Sequence, residues 1–118
     1  MAVTYMLHSQ SDYTINYCNK LVQKQILALP DSLAARYVFL SRRLLHIGPN
    51  LGEPHSKALG NRLFELRLKA SEGIARVIYC IRPERNIVML HCFIKKSQKI
   101  PTKELAIAIN RMKDLTNE

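Results

Sequence analysis

The sequence predicts an α+β fold: a helical hairpin packed on a small antiparallel sheet, followed by a C-terminal helix. Three observations carry this. Between Lys57 and Lys99, three short segments alternate apolar and polar residues. Two turn-rich gaps separate them, Ala70-Ser71-Glu72-Gly73 and Arg82-Pro83-Glu84-Arg85-Asn86, and both have hairpin composition. Before and after this meander, apolar residues recur at spacings of three and four, the period of an amphipathic helix.

The elements follow in order. Val3 to Leu7 reads as a short first strand. Residues 11–29 read as a helix with its apolar stripe at Ile15, Cys18, Leu21, Val22, Ile26 and Leu29, ended by Pro30. Asp31 or Ser32 can cap a second helix by accepting a backbone N–H. Its stripe is Leu33, Tyr37, Leu40, Leu44 and Ile47, and Gly48-Pro49 supplies the stop. Arg36, Arg42, Arg43 and His46 fall off that stripe, as an outer solvated face would. Residues 50–55, with Gly52 and Pro54, form a loop into the meander.

Alternation assigns the faces of the meander. Phe64, Leu66 and Leu68 share one face of its first strand, with Glu65, Arg67 and Lys69 on the other. Val77, Tyr79 and Ile81 oppose Arg76, Ile78 and Cys80. Val88, Leu90 and Cys92 oppose Met89, His91 and Phe93, with Lys95 continuing the second row. One face is then a core, and the other gathers Glu65, Arg67, Arg76, His91 and Lys95. Pro101 suits the first turn of a last helix, striped by Leu105, Ala108, Ile109, Met112 and Leu115, with Lys103, Asn110, Arg111 and Lys113 outside.

The 118 residues fit one domain, residues 1–118, and the hydrophobic content of 47% is that of a globular chain. Lys and Arg number 18 against 9 Asp and Glu, a formal charge of +9. Most of the excess lies from residue 59 onward, which points to a polyanionic partner. Cys18, Cys80 and Cys92 make an odd count without metal-type spacing, so a reducing cytoplasm is expected and neither metal nor cofactor is called for. The N-terminus lacks the pattern of a signal peptide. No apolar run approaches the ~20 residues of a membrane helix.

The phrases Leu63-Phe64-Glu65-Leu66-Arg67, Arg76-Val77-Ile78-Tyr79 and Leu90-His91-Cys92-Phe93-Ile94-Lys95-Lys96-Ser97-Gln98-Lys99-Ile100-Pro101 resemble the HigB-like, phage-derived branch of the RelE/ParE toxin superfamily. Leu29-Pro30, Gly48-Pro49, Leu51, Pro54 and Lys57 look like the same branch. The resemblance runs from about residue 3 to residue 115. It implies a RelE-like fold and the toxin of a type II toxin–antitoxin pair. Such a toxin is an endoribonuclease that enters the ribosomal A site and cuts translated mRNA without metal. It also implies a cognate antitoxin, often with a helix-turn-helix domain in this branch. Other superfamily members, of the ParE kind, bind DNA gyrase without catalysis, so fold alone does not fix activity. A basic nucleic-acid-binding protein with no toxicity is a third reading of the same charge.

The resemblance also carries site residues. Arg76 matches the strand arginine placed at the scissile phosphate, and Arg67 matches the arginine that binds substrate beside it. A planar guanidinium can grip two phosphate oxygens, which suits both roles. The plain alternative for each is an ion pair with Glu65. Lys95 shares the face of Arg76, for proton transfer or phosphate binding. His91 is the residue type best suited to acid–base work near neutrality, although a lone strand histidine is commonly structural. Lys69, Phe93, Lys96 and Lys99 complete the expected RNA contacts, Phe93 by stacking on a base or else by packing on the last helix. After Phe93 there is no His, Tyr, Cys or Asp before Asp114, whereas many relatives add a late Tyr or His. Proton transfer then falls on His91, the lysines, Glu65 or the ribosome.

Overall fold

The computed structural model describes residues 12–96 and 101–116. Its elements are β1 (Thr14–Tyr17), α1 (Lys20–Leu27), α2 (Asp31–Ile47), β2 (Ser56–Gly60), β3 (Leu63–Ala70), β4 (Gly73–Arg82), β5 (Asn86–Ile94) and α3 (Thr102–Thr116). The strands make one five-stranded sheet in the order β1-β5-β4-β3-β2. The α+β architecture with two consecutive helices, a sheet and a C-terminal helix is the expected one. Several details differ from the sequence reading, and each difference has a local cause.

The first helix does not begin at residue 11. Thr14–Tyr17 is a strand that pairs parallel to β5, from Thr14 opposite Asn86 to Tyr17 opposite Met89. The sheet is therefore mixed rather than wholly antiparallel. Tyr13, Ile15 and Tyr17 pack against the core at every second residue, the period of a strand. Asn19 marks the true start of α1, because its side-chain Oδ1 accepts from Val22 N at 2.9 Å. Val22, Ile26 and Leu29 are buried as expected, but Leu21 is exposed. The expected strand at Val3 to Leu7 lies outside the described residues.

Helix α2 buries Leu33, Tyr37, Leu40 and Leu44 and leaves Ile47 exposed. Neither Asp31 nor Ser32 caps it in the expected way. Pro30 holds the cap position, and the β3–β4 turn supplies the partner. Ser32 N donates to Glu72 Oε1 at 2.8 Å, and Glu72 N donates back to Ser32 Oγ at 3.2 Å. The backbone bond from Ser32, and then the Ser32 hydroxyl, hold the Glu72 carboxyl below the usual carboxylate range, and its charge sits where a helix N-terminus favours an anion.

Gly48 ends α2 at φ +108°, and its N–H donates to Leu44 O at 2.9 Å. A Cβ there would lie 2.9 Å from the Tyr13 ring. Tyr13 is itself tied down, its N–H donating to Leu45 O at 2.9 Å. Gly48→Ala combines backbone strain with a close approach to the outer end of the Tyr13 ring. It is expected to lower stability by roughly 1–3 kcal/mol, read from the urea midpoint at constant slope. An unchanged midpoint would show that this junction relaxes.

The meander has one more strand than expected. Gly60 stops β2, and Asn61 and Arg62 both take positive φ, 52° and 67°, making a two-residue hairpin turn into β3. Ser56 then faces Leu66 and Lys57 faces Glu65. In β5 the pairing shifts between Ile78 and Tyr79: Ile78 faces His91, while Tyr79 faces Met89. Leu90 is the extra residue of a β-bulge. Its carbonyl accepts from Arg111 Nη1 at 2.8 Å and from Cys18 Sγ at 3.6 Å. The bulge corrects the expected faces. Met89 lies with Ile87 and Cys92, whereas Val88 and Leu90 lie with Phe93.

The sheet thus separates two cores. On one side α1 and α2 bury Leu33, Leu40 and Leu44 against Leu66, Val77, Tyr79 and Met89. Tyr79 anchors the layer from the sheet, its hydroxyl donating to Pro49 O at 2.6 Å. On the other side α3 covers Leu63, Ile78, Cys80, Val88, Leu90 and Phe93 with Ala108, Leu105, Ile109 and Met112. The face expected to be polar is therefore a second core over much of its area, and the charged residues occupy the remainder. Burial pushes the thiols of Cys80 and Cys92 up, to about 11 and about 12, as befits inert packing groups.

Candidate functional site

The β3–β4 register sets Arg67 directly opposite Arg76, and the β4–β5 register sets Arg76 opposite Phe93. Two guanidiniums side by side repel unless an anion lies between them. Glu65, two residues before Arg67 on the same face, supplies it. Its Oε2 accepts from Arg67 Nε at 3.1 Å, and its Oε1 lies 3.2 Å from Arg76 Nε. The second contact is an ion pair without hydrogen-bond alignment, because neither atom has a hydrogen-bond partner. Glu65 is only 2% exposed. Arg67 also donates to Glu53 Oε1 at 2.9 Å.

Burial lowers the pKa of Arg76, and the neighbouring Arg67 adds to this while Glu65 opposes it. For Arg67, burial acts downward, but Glu65 and Glu53 together carry its pKa upward. Both groups remain cations, as arginine does throughout the working pH range. Lys95 is half-buried just past β5, its N–H donating to Ile74 O at 2.8 Å. Partial burial and then the charge of Arg76 lower its pKa, which places its ammonium in the field of the arginine pair.

Arg67 and Arg76 open into a cleft of about 370 Å³ lined by Arg36, His55, Lys69 and Ile74 as well. The structure therefore brings Arg67, Arg76 and Lys69 together, with Lys95 close by. Lys96 is exposed beyond the end of β5. Lys99 lies outside the described residues. Phe93 is buried against α3, with its ring stacked on His91 at 5.7 Å between centroids.

His91 does not line this cleft. It is 5% exposed, between the sheet and α3. Its Nε2 lies 2.6 Å from Glu104 Oε1, and its Nδ1 lies 3.2 Å from Arg111 Nη1. Both ring nitrogens thus face α3. Since arginine only donates, Nδ1 is the acceptor and the proton of the neutral ring sits on Nε2, toward Glu104.

Arg36 and His55 are the cleft residues that sequence reasoning missed. Arg36 projects from α2 off the apolar stripe, as a solvated residue would. For His55 a signal existed. Once Gly60-Asn61-Arg62 is read as a hairpin turn, pairing β2 back along β3 brings His55 beside Arg67, where Arg67 N donates to His55 O at 2.8 Å. Among the described residues there is no group of three or more His, Cys, Asp or Glu able to hold a metal ion, and no helix long and apolar enough to cross a membrane.

The model of the phage-derived Gp49-like family (DUF891) matches residues 24–113, a span that contains every cleft residue. The chain belongs to that family. The assignment agrees with the phage-derived branch expected from the Leu-Phe-Glu-Leu-Arg and Phe-Ile-Lys-Lys phrases. The fold is similar to that of the archaeal RelE–RelB complex from Pyrococcus horikoshii OT3, with a TM-score of 0.54 at 20% identity over 70% of this chain and 94% of that one. At that identity the likeness shows a RelE-like fold. No curated protein matches the chain in sequence.

Proposed function

We propose that this Gp49-like chain is the toxin of a type II toxin–antitoxin pair and acts as an endoribonuclease on ribosome-bound mRNA. The observation that supports this reading is the arginine pair. Arg67 and Arg76 stand side by side on a rigid sheet, held by one buried carboxylate and open to a cleft. A ParE-like gyrase binder has no need to arrange a phosphate site in this way.

RNA cleavage on this surface begins with attack of the 2′-oxygen on the adjacent phosphorus. The 2′-O–P bond forms, the P–O5′ bond breaks, and the phosphorane between them carries extra negative charge. Arg76, with Arg67 beside it, stabilises that charge as it develops, and fixed donors aimed at developing charge are the largest catalytic effect available here. Glu65 keeps both guanidiniums in position before substrate arrives. Lys69 and Lys95 add to the positive field around that phosphate. His91 is, on this reading, a packing residue of the sheet–α3 interface, and the ribosome contributes to proton transfer. A cognate antitoxin of helix-turn-helix type, attracted by the same positive charge, silences the cleft.

The test is to induce the chain alone in a bacterium and map mRNA ends. New ends confined to translated regions are expected, with little cutting of purified RNA lacking ribosomes. Growth arrest with intact mRNA and damaged DNA would favour the gyrase reading instead. No arrest and no new ends would leave only a nucleic-acid-binding role.

A further inference from the structure

The charges of the cleft do not balance. Arg36, Arg67, Lys69 and Arg76 line it, and the carboxylates that pair with these residues are Glu53 and Glu65. Both carboxylates serve the arginine pair of the sheet. Arg36 enters from the helical layer, and among the described residues it has no carboxylate partner. Its Nη2 instead lies 3.5 Å from His55 Nδ1, and its Cζ lies 5.4 Å from the centre of the Phe39 ring. The Phe39 ring attracts the guanidinium and takes up none of its N–H donors as an acceptor atom would. His55 is held through its backbone, its N–H donating to Gly52 O at 3.0 Å and its carbonyl accepting from Arg67 N at 2.8 Å.

The chemistry of the Arg36–His55 pair is directional. Arginine has no acceptor, so the ring nitrogen it faces is the acceptor of the imidazole. The proton of the neutral ring is then on Nε2, where it serves as a second donor. These two donors line the same cleft as the arginine pair that the carboxylates hold.

We infer that Arg36 and His55 form a second phosphate-binding subsite, which takes the phosphodiester next to the one held by Arg67 and Arg76. The inference rests on the nucleic-acid reading proposed above and names the residues that read one nucleotide further. Its basis is the placement of a cation without a carboxylate partner beside a second donor, in the cleft that also holds the compensated pair. A surplus of two positive charges over the paired carboxylates matches the two charges of consecutive phosphodiesters.

The experiment compares two non-cleavable ligands, a 2′-O-methyl dinucleotide with one phosphodiester and a 2′-O-methyl trinucleotide with two. Binding of each is measured against wild type, Arg36→Ala, Arg36→Lys and Arg76→Ala over a range of salt. Wild type should bind the trinucleotide roughly tenfold or more tightly than the dinucleotide, as one charge-assisted contact allows. Arg36→Ala should remove that gain and lower the salt slope for the trinucleotide by about one, with dinucleotide binding unchanged. Arg36→Lys should keep part of the gain. Arg36 lies off the buried stripe of α2, so an unaltered melting temperature is expected and excludes misfolding as the cause.

Equal loss for both ligands in Arg36→Ala, or no loss for either, overturns the subsite while leaving a phosphate site at Arg76. Wild type that prefers neither ligand length, yet loses dinucleotide binding in Arg76→Ala, does the same. Wild type that binds neither ligand overturns the nucleic-acid reading, and the subsite falls with it.

Discussion

Replacing Arg76 with alanine is expected to lower RNA cleavage by about 10²–10³-fold, the usual cost of one lost donor at developing charge. The structure adds a condition to this result. Arg76 is 9% exposed and lies against the buried Glu65 carboxylate, so truncation removes one of the two cations that Glu65 faces. Some stability is lost along with activity. A second variant separates the effects: Glu65→Gln added to Arg76→Ala removes a carboxylate whose remaining cation, Arg67, is shared with Glu53, without restoring a cation. Cleavage should stay low in both proteins, and thermal stability should partly recover in the second. Substantial mRNA cutting in cells by folded Arg76→Ala protein would remove Arg76 from the scissile phosphate.

The largest loss of stability at the site is expected for Glu65→Ala. The carboxylate is almost wholly buried, and its removal leaves Arg67 and Arg76 facing one another across adjacent strands. Breaking a buried pair costs about 3–5 kcal/mol. The side chains of Arg67 and Arg76 are 26% and 11% exposed, so water screens part of their repulsion and the low end, about 3 kcal/mol, is expected. Against a total of roughly 5–15 kcal/mol for a natural domain, that is a large share. Urea denaturation measures it directly. A loss below about 1 kcal/mol would mean that the two arginines separate on their own, and that Glu65 is not what holds them.

Much of the fold was legible because period reports burial. The stripe Leu33, Tyr37, Leu40 and Leu44 needed no partner to be recognised, and neither did the alternation of Phe64 to Leu68. The failures have a common physical origin. Ile15 and Cys18 lie three apart and look helical, but a four-residue strand is too short to declare a period of two, and its pairing partners in β5 are 72 residues away. The hairpin at Asn61-Arg62 was hidden because neither central residue is glycine, although Gly60 precedes them. The site was legible where two consecutive strands carry it, in Arg67, Lys69 and Arg76. It was illegible where layers meet. Arg36 reaches the cleft from a helix, and the α3 residues Glu104 and Arg111 draw the ring nitrogens of His91 toward their helix; no local pattern encodes either contact.

The extra residue in β5 bears on how this chain can change length. Leu90 and His91 lie side by side toward α3, and regular alternation resumes at Cys92. Loss of Leu90 would shorten the strand yet leave each later side chain on its present face, with Phe93 still beside Arg76. Loss of Cys92 would invert everything after it and turn Phe93 into the helical core. The strand has a phase reset built in at residue 90, and an insertion or deletion there is the change in length that the cleft can survive.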